Sequence, residues 1–220
     1  MTIPALPSYE MPLSGFRNKV AWQPEASRSA LLIHDMQAYF LNKFDTAKAP
    51  IPELVRNAVR LRDAFHAAGA PVFYTAQAVD QPAQDRALLN DMWGPGLTDP
   101  AVHAQQPIIE QLAPKTGDTV LVKWRYSAFQ RSDLAERLQA AGCDQLVICG
   151  VYANIGCMAT ALEAFMRDVQ PFMVADAVAD FSKEEHEMAL RYVSTRCGVV
   201  VTTQEIEDRF QAADKQGAGK

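Results

Sequence analysis

Six short apolar runs, separated by segments with helical patterning, constrain the fold of this chain more than any other feature. The apolar runs cover residues 28–36, 71–77, 118–124, 145–151, 171–178 and 198–203. The helical patterns between them lie near 51–69, 132–141, 156–168, 183–196 and 204–213. Continuous apolar strands that alternate with helices are typical of a parallel sheet covered on both faces. Because such crossovers are right-handed, the pattern predicts an α/β fold with three α/β/α layers and a six-stranded, mostly parallel, doubly wound sheet.

The length of the chain favours one domain, since 220 residues suffice for a single well-buried core and are short for two. We expect that domain to span residues 1–213, with residues 1–27 as an N-terminal extension. Residues 214–220 are rich in Gly, Ala and Lys and are predicted to form a flexible tail.

Charge and cysteine usage exclude several classes of partner. A formal net charge of -5 and a pI near 5.4 argue against a nucleic-acid or anionic-membrane surface. No apolar run is long enough to cross a bilayer, and the N-terminus lacks the pattern of a signal peptide. The four cysteines form no CxxC pair. Reduced thiols and a cytoplasmic location are therefore expected.

The longest connection between strands, residues 78–117, contains prolines and the aromatic stretch DMWGPG at 91–96. Long excursions of this kind are more often functional than idle. We therefore expect it to contribute to a site above the sheet.

The predicted site lies beyond the carboxyl ends of the strands, where ligands bind in open α/β sheets. Asp35, Gln77 and Lys123 end three of the strands, and Tyr152 and Gly156 follow the fourth. Many α/β hydrolases present a Ser or Cys nucleophile at a strand-turn-helix junction like this one, where Gly156 opens the predicted helix. Glycine has no side chain that can attack a substrate. A site here is thus predicted to work by proton transfer and not through a covalent intermediate.

Other candidate groups are less consistent with a catalytic role. His34 alternates with Asp35 along the first strand and is expected to face away from the site. The four histidines are scattered, so no metal site is predicted. Cys157 is expected to be rotated about 100° from Gly156 around the helix and to pack in the core. No GxGxxG turn follows the first strand, which argues against a dinucleotide cofactor. We expect neither metal nor cofactor.

Six strings of residues carry a resemblance to a known family. They are LLIHDMQAYFL at 31–41, YTAQ at 74–77, WGPGL at 93–97, VKWRYSAF at 122–129, CGVYANIGC at 149–157 and VADAVADFS at 174–182. With them the chain resembles the isochorismatases, the vinyl-ether hydrolase branch of the isochorismatase-like cysteine hydrolases. The resemblance extends over residues 20–205 and implies the three-layer α/β fold predicted above.

The resemblance also implies roles for particular residues. In the amidohydrolase relatives the catalytic triad is Asp, Lys and Cys, and the matching positions here are Asp35, Lys123 and Gly156. Further positions are implied to contact substrate or line its pocket: Gln77, Arg86, Tyr152, Phe40 and Trp93. One position departs from the pattern, because similar isochorismatases usually carry His where this chain has Asn154. A structural role for Asn154 in the turn is the favoured interpretation.

The reaction implied is hydrolysis of the enolpyruvyl ether of isochorismate to pyruvate and 2,3-dihydro-2,3-dihydroxybenzoate, in the synthesis of catechol siderophores. This chemistry requires a proton on carbon, for which Asp35 is the predicted general acid. Lys123 and Arg86 are expected to bind the two carboxylates of the substrate.

Three alternatives remain open from the sequence. One is hydrolysis of 2-amino-2-deoxyisochorismate toward phenazines, and the others are a cysteine amidohydrolase that uses Cys157 and an inactive binding scaffold. A homodimer is expected by resemblance. Siderophore synthetase partners are expected if a carrier domain is missing from this chain.

Overall fold

A six-stranded sheet organises the molecule. The computed structural model describes the backbone of residues 3–217 and the side chains of residues 3–212. The strands are β1 Ser29–His34, β2 Val72–Ala76, β3 Thr119–Val122, β4 Gln145–Val151, β5 Gln170–Ala179 and β6 Val199–Val201. Their order is β3-β2-β1-β4-β5-β6, and every neighbouring pair is parallel. The predicted doubly wound sheet is confirmed, and it is fully parallel where mostly parallel strands were predicted.

The direction of winding reverses between β1 and β4, which are neighbours in the sheet although they are far apart in sequence. Ser29 pairs with Gln145 at one end of this pair and His34 pairs with Gly150 at the other. Connections from the two strands leave in opposite directions, which opens a crevice beyond their carboxyl ends. The site therefore forms beside Asp35, which directly follows β1, and Tyr152, which directly follows β4.

Eight α-helices surround the sheet in the described part of the chain. They are α1 Ala38–Leu41, α2 Ile51–Ala67, α3 Ala83–Arg86, α4 Leu89–Trp93, α5 Leu134–Ala140, α6 Met158–Met166, α7 Lys183–Arg196 and α8 Thr203–Gly217. Short 3₁₀ turns occupy Gly96–Thr98, Pro100–Gln105 and Glu110–Leu112, and a π-helical turn occupies Ala153–Cys157.

Two apolar cores, one on each face of the sheet, account for the three layers. One face packs against α2 and α8 through residues such as Leu61 and Phe210. The other packs against α5, α6 and α7 through residues such as Leu138 and Leu190. Side chains of β1 alternate between the two cores, with Ile33 on the first face. A strand that must bury both faces is apolar along its whole length, which is why the strands were readable as continuous runs.

The connection 78–117, for which no elements were predicted, contains α3, α4 and the three 3₁₀ turns. Two helix boundaries differ from the sequence-based expectations. The helix predicted to begin at Gly156 begins at Met158, after the π-helical turn that contains Gly156. The last helix extends through Gly217, beyond the predicted end at residue 213, and the remainder of the predicted flexible tail lies outside the described residues.

Candidate active site

A cavity opens at the carboxyl ends of β1 to β4, where the sheet reverses its winding. The space between its walls, including the part open to solvent, is about 560 Å³. All eight residues proposed for the site contribute to its wall: Asp35, Lys123, Gly156, Gln77, Arg86, Tyr152, Phe40 and Trp93. The wall also includes residues that were not proposed for the site: Ile3, His34, Tyr39, Leu89, Arg125, Tyr126, Ile155 and Phe181.

The carboxylate of Asp35 is held from two neighbouring strands. Nζ of Lys123, directly after β3, donates to Oδ2 over 2.9 Å, and Oγ1 of Thr75 in β2 donates to Oδ1 over 2.5 Å. The N–H of Asp35 donates in turn to the Thr75 hydroxyl oxygen over 3.0 Å. Asp35 has a φ of 49°, a left-handed conformation that a non-glycine residue rarely adopts. These contacts hold one carboxylate in a fixed orientation toward the cavity.

The ionisation state of Asp35 follows from opposing effects. Burial disfavours the charged carboxylate, but the charges of His34 and Lys123 and the hydrogen bonds from Lys123 and Thr75 outweigh burial and lower the pKa of Asp35. Burial lowers the pKa of His34 to about 4, so this ring is neutral near pH 7. Lys123 is therefore the cation that keeps Asp35 ionised when the cavity holds no ligand.

The expectation that His34 faces away from the site is wrong. Its imidazole lines the cavity, with Nδ1 3.6 Å from Oδ2 of Asp35, and is completely buried. Alternation along β1 directs His34 to the face of the α5–α7 core, and the turn Ala153–Cys157 crosses that same face. The alternation rule describes the faces of a sheet and not the loops that cover its end. The imidazole ring of His34 therefore forms part of the cavity wall.

The turn after β4 is joined to the loop after β5 by a buried carboxylate. Asp180 accepts the N–H of Asn154 over 2.5 Å and the N–H of Phe181 over 2.8 Å. Burial raises the pKa of Asp180 to about 7, although these two N–H groups lower it. The Asn154 side chain does not line the cavity, and its Oδ1 is buried with no hydrogen-bond partner in the described structure. The bond to Asp180 uses the backbone of Asn154, so a structural role for its side chain stays a prediction.

The glycines of the WGPG segment fix the position of Arg86. Its Nε and Nη2 donate to the carbonyl of Gly94 over 3.2 and 3.1 Å, and its Nη1 reaches Oε1 of Gln77 at 3.4 Å. A Cβ on Gly96 would lie 2.5 Å from Nη2 of Arg86, and the φ of Gly96 is +57°. Both the approach of the guanidinium and the backbone conformation therefore require glycine at position 96.

Gln77 is held by a residue that the sequence did not reveal. The side chain of Gln37, which is completely buried, accepts the N–H of Gln77 over 2.7 Å and donates to its carbonyl over 2.9 Å. A second bond joins Gln37 to the carbonyl of Gln106. The side-chain amide of Gln77 thus enters the cavity from a fixed backbone.

Aromatic side chains form part of the cavity wall. Phe181 packs on Tyr152 with ring centroids 4.6 Å apart and stacks on Trp93 at 6.0 Å. Nε1 of Trp93 donates to the hydroxyl of Tyr126 over 2.9 Å, and the hydroxyl of Tyr152 donates to the carbonyl of Phe40 over 3.0 Å. This wall suits the apolar faces of a small ring.

The cavity is cationic in a protein that is acidic overall. Among the described residues, one carboxylate (Asp35) and three cations (Lys123, Arg86 and Arg125) line it, so its formal charge is +2. Arg86 is buried, which lowers the pKa of its guanidinium, and neither arginine has an acidic partner in the described structure. Arg125 is half-buried, whereas Arg86 is a buried cation without an acidic partner, which is costly, and an anionic ligand would relieve that cost.

The remaining nucleophile and metal candidates lie outside this arrangement. Cys157 is fully buried in the core under the turn, and burial raises the pKa of its thiol well above the ordinary value. Among the residues with described side chains, no three His, Cys, Asp or Glu residues are grouped as metal ligands would be. Within the same part of the chain, no helix combines the length and the apolar character needed to cross a membrane.

The fold and the cleft together define a hydrolase of the isochorismatase-like class. A solved cysteine hydrolase from Pseudomonas syringae pv. phaseolicola has the same fold, with a TM-score of 0.76 and 25% sequence identity. The similarity covers 88% of this chain and 97% of that one. The resemblance of the sequences predicts that Gly156 occupies the position of the catalytic cysteine in such hydrolases.

The chain belongs to the isochorismatase family, whose Isochorismatase domain matches residues 29–205. It is 53% identical to Enterobactin synthase component B of Escherichia coli K12 over 208 residues, which are 94% of this chain and 72% of that protein. It is 44% identical to the Phenazine biosynthesis protein PhzD of Pseudomonas fluorescens over 211 residues, covering 93% of this chain and 98% of that protein.

Proposed function

We propose that this protein hydrolyses isochorismate to pyruvate and 2,3-dihydro-2,3-dihydroxybenzoate. One observation carries the proposal: a carboxyl group, Asp35, lies in a cavity of formal charge +2 beside an aromatic wall. Isochorismate is a dianion with a small ring and a vinyl ether. Its charge matches the cavity, its ring fits the aromatic wall, and its ether is cleaved by acid.

The reaction begins with transfer of a proton from Asp35 to the terminal methylene carbon of the enolpyruvyl group. That carbon becomes a methyl group, and the adjacent carbon and the ether oxygen share the positive charge of an oxocarbenium ion. The new Asp35 carboxylate stabilises this cation. Water then adds to the cationic carbon and returns a proton to Asp35. In the resulting hemiketal the bond between the former cationic carbon and the ether oxygen breaks, the hydroxyl proton is lost as the carbonyl of pyruvate forms, and the ether oxygen takes up a proton to give the diol.

Two cations that lack acidic partners are available for the substrate carboxylates. Arg86 and Arg125 both line the cavity. Nη1 of Arg125 is already bonded to the carbonyls of Asp85 and Trp124, over 2.8 and 2.7 Å, which orients the group. A substrate carboxylate near Lys123 would also offset the positive charge of Lys123, and the pKa of Asp35 would rise as a result.

A thiol mechanism finds no support in the arrangement of the cysteines. Cys157 is fully buried and does not line the cavity, so its sulfur has no access to a bound substrate. A thiol-alkylating reagent should therefore leave turnover unchanged. Loss of activity in proportion to modification of Cys157 would favour a cysteine amidohydrolase.

2-Amino-2-deoxyisochorismate is a second candidate substrate, because the chain is 44% identical to the phenazine protein. It carries the same vinyl ether and two carboxylates and differs in one ring substituent. The deciding experiment supplies each compound separately and follows pyruvate with a lactate dehydrogenase couple. A kcat/KM at least tenfold higher for isochorismate supports the siderophore route. No pyruvate from either compound would contradict the proposed function.

We also propose a cytoplasmic homodimer whose product passes to a siderophore synthetase. The four cysteines are unpaired and buried, which suits a reducing compartment. The edge strand β3 exposes Val120 and Val122, which a second copy could cover. The synthetase partner is proposed because the chain is 53% identical to Enterobactin synthase component B of Escherichia coli. Light scattering after gel filtration tests the dimer, and cell fractionation tests the location.

A further inference from the structure

The position of the missing nucleophile is occupied by the side chain of another residue. A Cβ built on Gly156 would lie 2.6 Å from Nε2 of His34 and 3.0 Å from Nδ1, and it would lie closer still to Cε1. All three atoms belong to the imidazole ring. No ordinary Cβ contact is this short, so position 156 can carry no side chain while the ring remains in place.

The backbone gives no separate reason for glycine at this position. Gly156 does not adopt the left-handed conformation that excludes other residues, unlike Gly96 and Gly150. It lies in a helical turn, where alanine is ordinarily more stable than glycine. The requirement for glycine is therefore one of space, and His34 sets it.

The ring of His34 is not free to move aside. It is completely buried, and Nδ1 donates to the carbonyl of Val151 over 2.7 Å. Nε2 lies 3.4 Å from the carbonyl of Tyr126, and Asp35 lies on the Nδ1 side. Displacement of the ring would break the bond to Val151 and leave a buried nitrogen without a partner.

We propose that His34 excludes covalent catalysis from this site: its imidazole fills the volume that a nucleophilic side chain at position 156 would need, so that proton transfer by Asp35 is the chemistry that remains. This role depends on the proposed function for its chemistry, whereas its steric part depends only on the contact between the ring and Gly156. His34 is thus a positioning residue that determines the type of reaction.

A double-mutant cycle on stability tests the steric part. Gly156→Ala should lower the Tm by about 5 °C or more, since the new Cβ overlaps the ring. If the two single-variant changes in Tm were additive, their sum would give the Tm of the double variant His34→Ala/Gly156→Ala. Its measured Tm should lie about 5 °C or more above that additive value. Gly198→Ala is the matched control, because its Cβ would lie 2.5 Å from the carbonyl oxygen of Pro171 and not near His34. His34→Ala should not rescue that control.

A labelling experiment tests whether the space opens into the cavity. In His34→Ala/Gly156→Cys the introduced thiol should react with iodoacetamide at least about tenfold faster than in Gly156→Cys, as measured by peptide mass spectrometry. The four native cysteines are buried and provide the background.

Three outcomes would overturn the proposal. They are additive Tm effects, failure of both alanine variants at position 156 to fold, and equal labelling of the two cysteine variants. None of these readouts uses turnover. An enzyme that released no pyruvate from isochorismate would contradict the proposed function and leave the coupling between His34 and Gly156 intact.

Discussion

Lys123 and Asp35 form a buried ion pair across the width of two strands, with Nζ and Oδ2 2.9 Å apart. The two residues follow β3 and β1, and β2 lies between those strands and supplies Thr75 to the other carboxylate oxygen. The carboxyl group of Asp35 is therefore ionised in the ligand-free protein. Catalysis by proton donation requires that a ligand change this state, and the first predictions concern that change.

Removal of the proton donor should abolish turnover and preserve binding. We expect Asp35→Asn to lower kcat by about 10³-fold, because an amide has no acidic proton to place on carbon. KM and the calorimetric Kd for a non-hydrolysable lactyl ether analogue should change by less than about fivefold. The assay is pyruvate release. Turnover close to that of the wild type would remove Asp35 from the mechanism.

Binding of a dianionic ligand should cause Asp35 to take up a proton. The pKa of Asp35 is lowered in the free protein, and two substrate carboxylates would raise it. Calorimetry of the lactyl ether analogue at pH 7, in two buffers of different ionisation enthalpy, should therefore show uptake of a large fraction of one proton. Because the free acid titrates at low pH, kcat/KM should fall as pH rises through neutrality. Zero uptake would show that the acid does not titrate on binding.

Arg86 should contribute to binding more than to the chemical step. We expect Arg86→Ala to raise KM by about 10- to 100-fold, which is the loss of one charge-assisted bidentate contact, with a smaller change in kcat. Arg131→Ala is the control, because that arginine is exposed, bonds to Asp85 and does not line the cavity. An unchanged KM in Arg86→Ala, with normal folding by circular dichroism, would contradict the assignment.

Gly96 should affect the reaction only through Arg86. A Cβ at this position would displace the guanidinium, so Gly96→Ala should raise KM by about tenfold or more. Gly69→Ala is the matched control for backbone strain, since Gly69 has a φ of +66° and open space around its Cβ position. Both variants should lose about 1 kcal/mol or more of stability, and only Gly96→Ala should change KM. Equal KM values for the two would mean that Gly96 does not hold Arg86.

The buried His186 should make the protein sensitive to acid. Burial lowers its pKa to about 4, so the unfolded chain binds a proton between pH 6.5 and 4 that the native protein does not. Stability should fall with decreasing pH in this window, with a contribution from His186 of up to about 1.4 kcal/mol per pH unit. His186→Gln should remove that contribution, as measured by urea unfolding from pH 4 to 6.5. A slope equal to that of the wild type would show that His186 is protonated in the fold.

The positions of Asp35, Gln77 and Lys123 at one edge were predictable because parallel strands bring their carboxyl ends together. The resemblance supplied Arg86 and Trp93, whose places within the long connection no periodic pattern indicates. Arg125 and Phe181 were missed as members of the site. A third cation beside Lys123 was visible in WRYSAF, but nothing in the string tells whether its side chain enters the cavity or solvent.

By itself, the sequence determined the layers, the strand boundaries to within a few residues and the absence of an attacking group at position 156, because hydrophobic periodicity and residue identity are local properties. Only the tertiary structure decided what fills the space beside Gly156, which cations lack acidic partners and which amide holds Gln77. Those relations join residues as far apart as His34 and Gly156, whose contact depends on how β1 and β4 meet in the sheet. Side-chain direction beyond the end of a strand is set by such packing and cannot be read from alternation along the strand.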